Sequence, residues 1–347
     1  MMQRFSYLAI VVLLMSVFDS CQPHDPFCYQ HPHGTRMRID VDWSEFKEDS
    51  PDGMTMLLYP ADETNLQIQH TSHTISHAVF DLKPDNYTVL VHNQSAPEFG
   101  SVTFCDMGDH STAWVRPERS KSSWYAPVDN EILVHNPEWL AFNRQEIVVT
   151  PDMVEGGMEY DDHFTRAAEG NETLMATMIP QNVVYTLHVT VKIKGANNFR
   201  AARAAFSGLA DGYYVGLEEY SSDKVTHMME DWTLKDRTTN ADGVQVGTLT
   251  SEITCFGLPE GHSGESEDNI LRLSLLLVDN KTRINRMFNV GSRIHQRTTN
   301  GSPLHLYLDL ELSQQLPDVT PVQNDSSSGF DADVEDWGDE ENQDVIM

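Results

Sequence analysis

In the stretch LHLYLDLEL, Leu304, Leu306, Leu308, Leu310 and Leu312 alternate with His305, Tyr307, Asp309 and Glu311. Successive side chains of an extended chain point to opposite faces, so one apolar and one polar row predict a half-buried β-strand. YTLHVTVKI repeats the pattern, with Tyr185, Leu187, Val189, Val191 and Ile193 against Thr186, His188, Thr190 and Lys192. RMRIDVDW does the same with Met37, Ile39, Val41 and Trp43. Further strand candidates lie at 54–59, 75–82, 87–91, 147–150, 213–217, 244–256 and 270–278, between turn-rich segments such as PDG at 51–53. Many short strands with one wet face predict antiparallel sheets stacked as sandwiches. A chain so committed to β structure has room for little helix.

One short helix is expected. NNFRAARAAFSGLA puts Phe199, Ala202, Phe206 and Leu209 on one stripe, with Asn197 or Asn198 as N-cap and Gly208 as C-cap. It would cover an open end or edge of the second sandwich. The chain has 347 residues, enough for two domains of ordinary size. PDMVEGGMEYDDHFTRAAEGNET breaks the alternation, so residues 151–182 read as a connector between a first sandwich at 34–150 and a second at 183–316. Residues 317–347 follow as an acidic segment. No repeat of solenoid or propeller length is visible.

The front end reads as an export signal at residues 1–20. Arg4 supplies the positive start, and Leu8 to Phe18 form an apolar run too short for a bilayer core of about 30 Å. Phe18, Asp19 and Ser20 before Cys21 resemble the lipobox of bacterial lipoproteins. Cys21 is therefore the expected lipidation site, with palmitate-like acyl chains as the anchor and residues 21–33 as a lead into the first sandwich. No later stretch is long and apolar enough to span. If Cys21 carries lipid, Cys28, Cys105 and Cys255 remain, an odd set that allows at most one disulfide.

The formal net charge is −30, which argues against nucleic acid, whose phosphates need clustered Lys and Arg. Ten acids and no Lys or Arg fall in 318–347, and the favoured reading there is solubility. Fifteen histidines make chance pairs common. His31 and His33, near His24 and Cys28, could meet Zn²⁺ or Cu²⁺ from an extended segment; a polar lead-in is the favoured reading. His70, His73 and His77 would align only on a helix. Neither a nucleophile-elbow, a zinc-protease, a phosphate-loop nor a dinucleotide motif is present, so no catalytic residue, cofactor or metal is assigned and no enzyme activity is expected. Asn-x-Ser/Thr sequons at Asn86, Asn93, Asn171, Asn280, Asn300 and Asn324 read as Asn-rich turns, and Trp43 and Trp232 read as core.

The order of segments carries a resemblance. CYQHPHG, MRIDVDW and PDGMTMLLYP come first, then LKPDNYTVLVHN, IVVTPDM, VVYTLHVTVKIKG, AARAAFSGLADGYYVG and GFDADVEDWGDEENQDVIM. Together they resemble an uncharacterised lipoprotein family of Bacteroidales-type bacteria, a domain of unknown function with the architecture of fimbrillins and fimbrial anchor or tip subunits. The resemblance implies a mainly β fold of two tandem antiparallel, transthyretin-like sandwiches. It implies Asp85 or Asn86 in a turn that elsewhere holds Gly, and an edge strand near Trp337. It also implies a non-catalytic protein of the outer membrane, lipid-anchored and displayed at the cell surface. Such a protein would meet fimbrial or other surface subunits by strand addition. Lacking a clear cleavage site to release its first strand, it reads as an anchor, tip or stand-alone protein. The alternative is a glycan-binding lipoprotein of a polysaccharide-uptake system.

Overall fold

The computed structural model describes residues 34–46, 50–128, 130–155, 173–297 and 304–322. The first sandwich pairs a three-stranded sheet with a five-stranded one. The smaller sheet holds β1 (Thr35–Val41) between β10 (Thr173–Met178) and β4 (His77–Leu82). The larger runs β11 (Gln181–Asn182), β9 (Ala141–Val149), β5 (Asp85–Asn93), β2 (Met54–Pro60) and β3 (Ile68–Ser72). Met37, Ile39 and Val41 of β1 meet Met54, Met56 and Leu58 of β2 in its core.

The second sandwich stacks two five-stranded sheets. One runs β17 (Thr233–Thr239), β18 (Gln245–Cys255), β12 (Tyr185–Lys194), β22 (Leu304–Glu311) and β21 (His295–Arg297). The other runs β20 (Arg283–Asn289), β19 (Ile270–Leu277), β13 (Phe199–Ala210), β16 (Lys224–Met229) and β8 (Leu133–Val134). Leu306, Leu308 and Leu310 of β22 join Leu187, Val189 and Val191 of β12 in the core, facing Leu271, Leu273 and Leu275 of β19. The alternating rows anticipated for 185–193 and 304–312 therefore bury as expected. Each such side chain contributes about 1.5–3 kcal/mol relative to exposure.

A fifth sheet joins the halves: β15 (Glu219–Tyr220), β14 (Tyr213–Tyr214), β7 (Trp114–Pro117) and β6 (Val102–Cys105). It lies on the back of the larger first-sandwich sheet, where Val102, Val115 and Tyr213 pack with Leu57, Leu90 and Phe142. That is why β2 is buried along both rows and reads in sequence as a continuous apolar run rather than an alternation.

The fold is mainly β and two-sandwiched as expected, with three corrections. The helix expected over 197–210 is β13, a strand buried along most of both faces. Ala-rich composition favours helix only weakly, and pairing on both edges overrides it. Gly208 caps no helix. It holds φ 91° at a register shift against β16, where a Cβ would sit 2.1 Å from the Asp268 carbonyl oxygen. The one α-helix among the described residues is α1 (Pro151–Glu155), between the sandwiches. Second, residues expected as connector supply β10 and β11 to first-sandwich sheets, and residues expected in the first domain supply β8 to the second. Third, the sheets are mixed, because β1–β10, β12–β22 and β16–β8 pair in parallel. Returning segments approach strands distant in sequence, and local alternation does not encode their direction.

Candidate functional site

β10 is built from TLMATM. Ala176 and Met178 turn inward and are buried, while Thr173, Leu174 and Thr177 are exposed, Leu174 at 56 %. It runs parallel to β1, from Thr173 opposite Met37 to Met178 opposite Val41, with one extra residue at Met175. It ends its sheet, so among the described residues no strand pairs with its other side. An edge with neither charge nor proline is a template for pairing with another chain. β17 is the contrasting edge. Its sequence TLKDRTT is exposed at all but one position, and it shifts register between Lys235 and Thr238 around Asp236, which holds φ 53°. Charges and a bulge on an edge discourage pairing.

The joining sheet exposes a ledge. Its outward row sets Cys105 beside Trp114, then Tyr214, then Glu219. The Trp114 and Tyr214 rings lie 5.6 Å apart with planes 22° from parallel. The Arg116 guanidinium stands 5.7 Å from the Trp114 ring centre, a cation–π distance.

Residues 119–128 and 130–136 form a strap over the outer face of β13 and its neighbours. Trp124 and Tyr125 are buried there with Leu133 and Ala205. The Arg203 guanidinium lies 4.3 Å over the Trp124 ring, whose Nε1–H donates to Glu230 Oε1 at 2.6 Å. Arg272 Nη1 meets Glu131 Oε1 at 2.9 Å, and Arg119 grips both oxygens of Asp211 at 2.6 and 2.7 Å. Beneath the strap His227 is wholly buried, with Nδ1 3.0 Å from Asn136 Oδ1, and desolvation pushes its pKa down to about 3. In the other half His92 is buried between Phe104 and Phe142, and the same cause lowers it to about 4.

Cys21 lies outside the described residues, as do the signal at 1–20, His24, Cys28, His31, His33 and Trp337. His70 is in β3, His77 in β4 and His73 in the turn between them, so the three share no helical face. Among the described residues no group of three or more His, Cys, Asp or Glu is placed to hold a metal. Cys105 and Cys255 are unbridged; Cys255 is buried, and desolvation pushes its thiol up to about 12. Of the sequons, Asn86 is exposed and Asn280 half-buried, whereas Asn93 is fully buried. Its amide accepts from the Ala141 N–H at 2.9 Å and donates to the Trp139 carbonyl at 3.2 Å. Asn171, Asn300 and Asn324 lie outside the described residues.

Asp85 and Asn86 open β5 without adopting positive φ. The left-handed turn expected there does not form, because the Asp85 carboxylate organises the turn instead, accepting from the Asn86 and Asp62 N–H groups and from Asn65 Nδ2. Trp43 is buried, its Nε1–H donating to the Ile75 carbonyl at 2.8 Å. Trp232 packs on the second core. Sequence reading missed β10 and β7. Each is short, and β10 pairs with a strand more than 130 residues away; the local signals were the alternations in LMATM and AWVRP.

A family model described as Domain of unknown function (DUF5119) matches residues 20–230. No curated protein matches the sequence. Among solved structures, a candidate adhesin from Bacteroides ovatus superposes with a TM-score of 0.53 at 15 % identity, covering 83 % of this chain and 94 % of its own. A candidate adhesin from Bacteroides thetaiotaomicron gives 0.44 at 11 % identity over 73 % and 80 %. The fimbrial anchor protein Mfa2 from Porphyromonas gingivalis gives 0.42 at 11 % identity over 80 % and 90 %.

Proposed function

The chain belongs to the DUF5119 family, a domain of unknown function, and on that footing we propose that it is a surface protein of adhesin or fimbrial-anchor type that works by contact and not by catalysis. The observation that carries this reading is the uncharged β10 edge with Leu174 exposed. An extended segment of a neighbouring surface protein would add there as a further strand, its backbone pairing with the outward groups of β10. β1 sits in the middle of its sheet, paired on both sides, which favours an anchor, tip or stand-alone role over a subunit that sheds its first strand. In this reading residues 1–20 are the export signal, Cys21 carries the lipid, and the protein is held at the outer membrane.

The contact is tested by placing a photoreactive residue at Leu174 or at Arg237 in cells and identifying adducts by mass spectrometry. Position 174 should give a defined adduct with an extended segment of a surface protein, and position 237 none. No adduct at 174, or equal adducts at both, removes the edge as the contact. Anchoring is tested separately by fatty-acid labelling: label retained by Cys21→Ala would show that the lipid is elsewhere.

A second reading, glycan binding, is favoured by the Trp114–Tyr214–Arg116 ledge, since aromatic rings with polar neighbours suit sugar rings. A glycan array that gives no binding, or binding that Trp114→Ala leaves intact, dismisses it.

A further inference from the structure

The outer face of the sheet that holds β12 and β22 carries a cluster of rings used by neither the β10 edge nor the aromatic ledge. Leu187 and Val189 of β12 point into the core with Leu306 and Leu308 of β22, so His188, His305 and Tyr307 point out. The two strands run parallel, Thr186 opposite His305 and His188 opposite Tyr307, which sets the two imidazoles on a diagonal. On the other side of β12, Glu252 of β18 lies opposite His188. No local spacing marks the patch, because His188 and His305 are 117 residues apart.

His188 is held from three directions. The Tyr307 ring stacks on it, with centroids 4.9 Å apart and planes 15° from parallel. Glu252 Oε2 stands 3.2 Å from its Nδ1. A carboxylate only accepts, so it favours the tautomer with the proton on Nδ1 and the lone pair on Nε2. That lone pair meets the third neighbour, His305, whose Nδ1 is 2.9 Å away. With His188 in this tautomer the His305 Nδ1–H donates into it, and one proton fills the gap between two nitrogens. Shifting that proton to His305 Nε2 leaves two lone pairs on the facing nitrogens, with no change in net charge.

The spacing bears on which ion could replace the proton. Bonds from metal to imidazole are about 2.0–2.1 Å, so two at a right angle set their nitrogens about 2.9 Å apart, and two at a tetrahedral angle roughly 3.3 Å. The observed 2.9 Å is the right-angled value, which suits the tetragonal preference of Cu²⁺ and Ni²⁺. The ring centroids lie 5.0 Å apart, nearly in line with the nitrogens, so each ring tilts for the lone pairs to converge. Glu252 stays behind His188, the place of a carboxylate that orients a ligating imidazole. Among the described residues no third His, Cys, Asp or Glu completes the set.

We propose that His188 Nε2 and His305 Nδ1 together bind one divalent transition ion of tetragonal preference, Cu²⁺ or Ni²⁺, with Glu252 orienting His188. The ion's remaining positions face outward from the sheet, where water or a donor from another molecule completes them. The inference is independent of the roles read for β10 and for the Trp114 ledge.

Cu²⁺ alone, titrated into the full chain and followed by NMR, tests it. The ring signals of His188, His305 and Tyr307 should broaden together. In His188→Ala the His305 ring should stay sharp at the same Cu²⁺ level, and in His305→Ala the His188 ring should. Glu252→Ala, at a side chain 71 % exposed, should raise the Cu²⁺ needed about tenfold. Rings of His188 and His305 that stay sharp in the unaltered chain, while Cu²⁺ broadens residues elsewhere or none, overturn the proposal, and that result needs no variant to fold. So does either ring broadening in full without the other. An unchanged titration in Glu252→Ala overturns its orienting role.

Discussion

β10 and β17 each end a sheet, and each carries one extra residue against its partner, at Met175 and between Lys235 and Thr238. Backbone irregularity therefore does not separate them. What separates them is that β17 exposes Lys235, Asp236 and Arg237 while β10 exposes Thr173, Leu174 and Thr177. The same contrast extends to the sandwiches behind them. The second has the strap of 119–128 and 130–136 over one outer face, sealed by the buried Arg272–Glu131 pair, the half-buried Arg119–Asp211 pair and Trp124. An edge is closed to strangers by charge or by cover, and among the described residues the first sandwich has neither along β10. The difference teaches where a partner strand can enter.

The largest expected effect comes from acid, through the two buried imidazoles. Both folded-state pKa values lie below the ordinary 6.5, at about 3 for His227 and about 4 for His92. Above pH 6.5 both states are neutral and the full stability is present. As pH falls below 6.5 the unfolded chain takes up protons that the folded chain refuses, so stability drops by about 1.4 kcal/mol per unit for each group. The whole loss is about 5 kcal/mol for His227 and about 3 kcal/mol for His92. Urea titrations at pH 7, 6, 5, 4 and 3 should show this slope, roughly halved above pH 4 in His227→Gln or His92→Gln. The His227 variant should flatten it down to lower pH, marking the strap as the more acid-sensitive seal. A slope unchanged in both variants would place the acid sensitivity elsewhere.

Next in size is the strap's ion pair. Arg272 and Glu131 keep only 7 % and 15 % of their side-chain exposure, and removing one partner of such a pair leaves a charge buried alone. Arg272→Met should lower stability by about 3–5 kcal/mol in denaturant titrations. The added protease sensitivity should fall in 119–136 and spare β10. Cleavage appearing first around β10 instead would mean that the strap is not the element sealed by this pair.

How much of this was legible beforehand depended on whether the signal was local. β1, β12 and β22 announce themselves because one face is core and the other water, so alternation survives in the sequence. β13 misled because Ala201, Ala202, Ala204 and Ala205 fall at helical as well as strand spacing. Small side chains are needed there on the outer row, since Ala205 lies under Trp124 and Tyr125, a requirement set by residues 80 positions earlier. β10 was taken for connector because its parallel partner is the first strand of the fold. The buried state of Asn93 and His227 had no local mark either. The acidic segment shows its charge in the sequence, whereas the edge strand near Trp337 rests on the resemblance alone and lies outside the described residues.

Stripping the charge from β17 should make it behave like β10. Lys235 and Arg237 are exposed, so Lys235→Val with Arg237→Val should change folding stability by no more than about 0.5 kcal/mol. The strand should nonetheless begin to pair between molecules, seen as concentration-dependent growth in light scattering. A variant that stays monomeric at high concentration would show that the bulge at Asp236, and not the charge, protects this edge.

The smallest expected effect on stability accompanies the most informative change in contact. Leu174 points away from the core, so Leu174→Lys should move Tm by no more than the roughly 0.5 kcal/mol typical of a surface substitution. An inserted ammonium would nonetheless stand on the path of an incoming strand, which would have to desolvate it to pair. A photoreactive group at Thr177 should therefore lose its surface-protein adduct in the Leu174→Lys background and regain it in Leu174→Val, which keeps an apolar, strand-favouring side chain. An adduct that persists at full yield beside the introduced ammonium would mean that the partner reaches Thr177 by its side chains alone. Pairing through the backbone of β10 would then be discarded even though the contact itself stands.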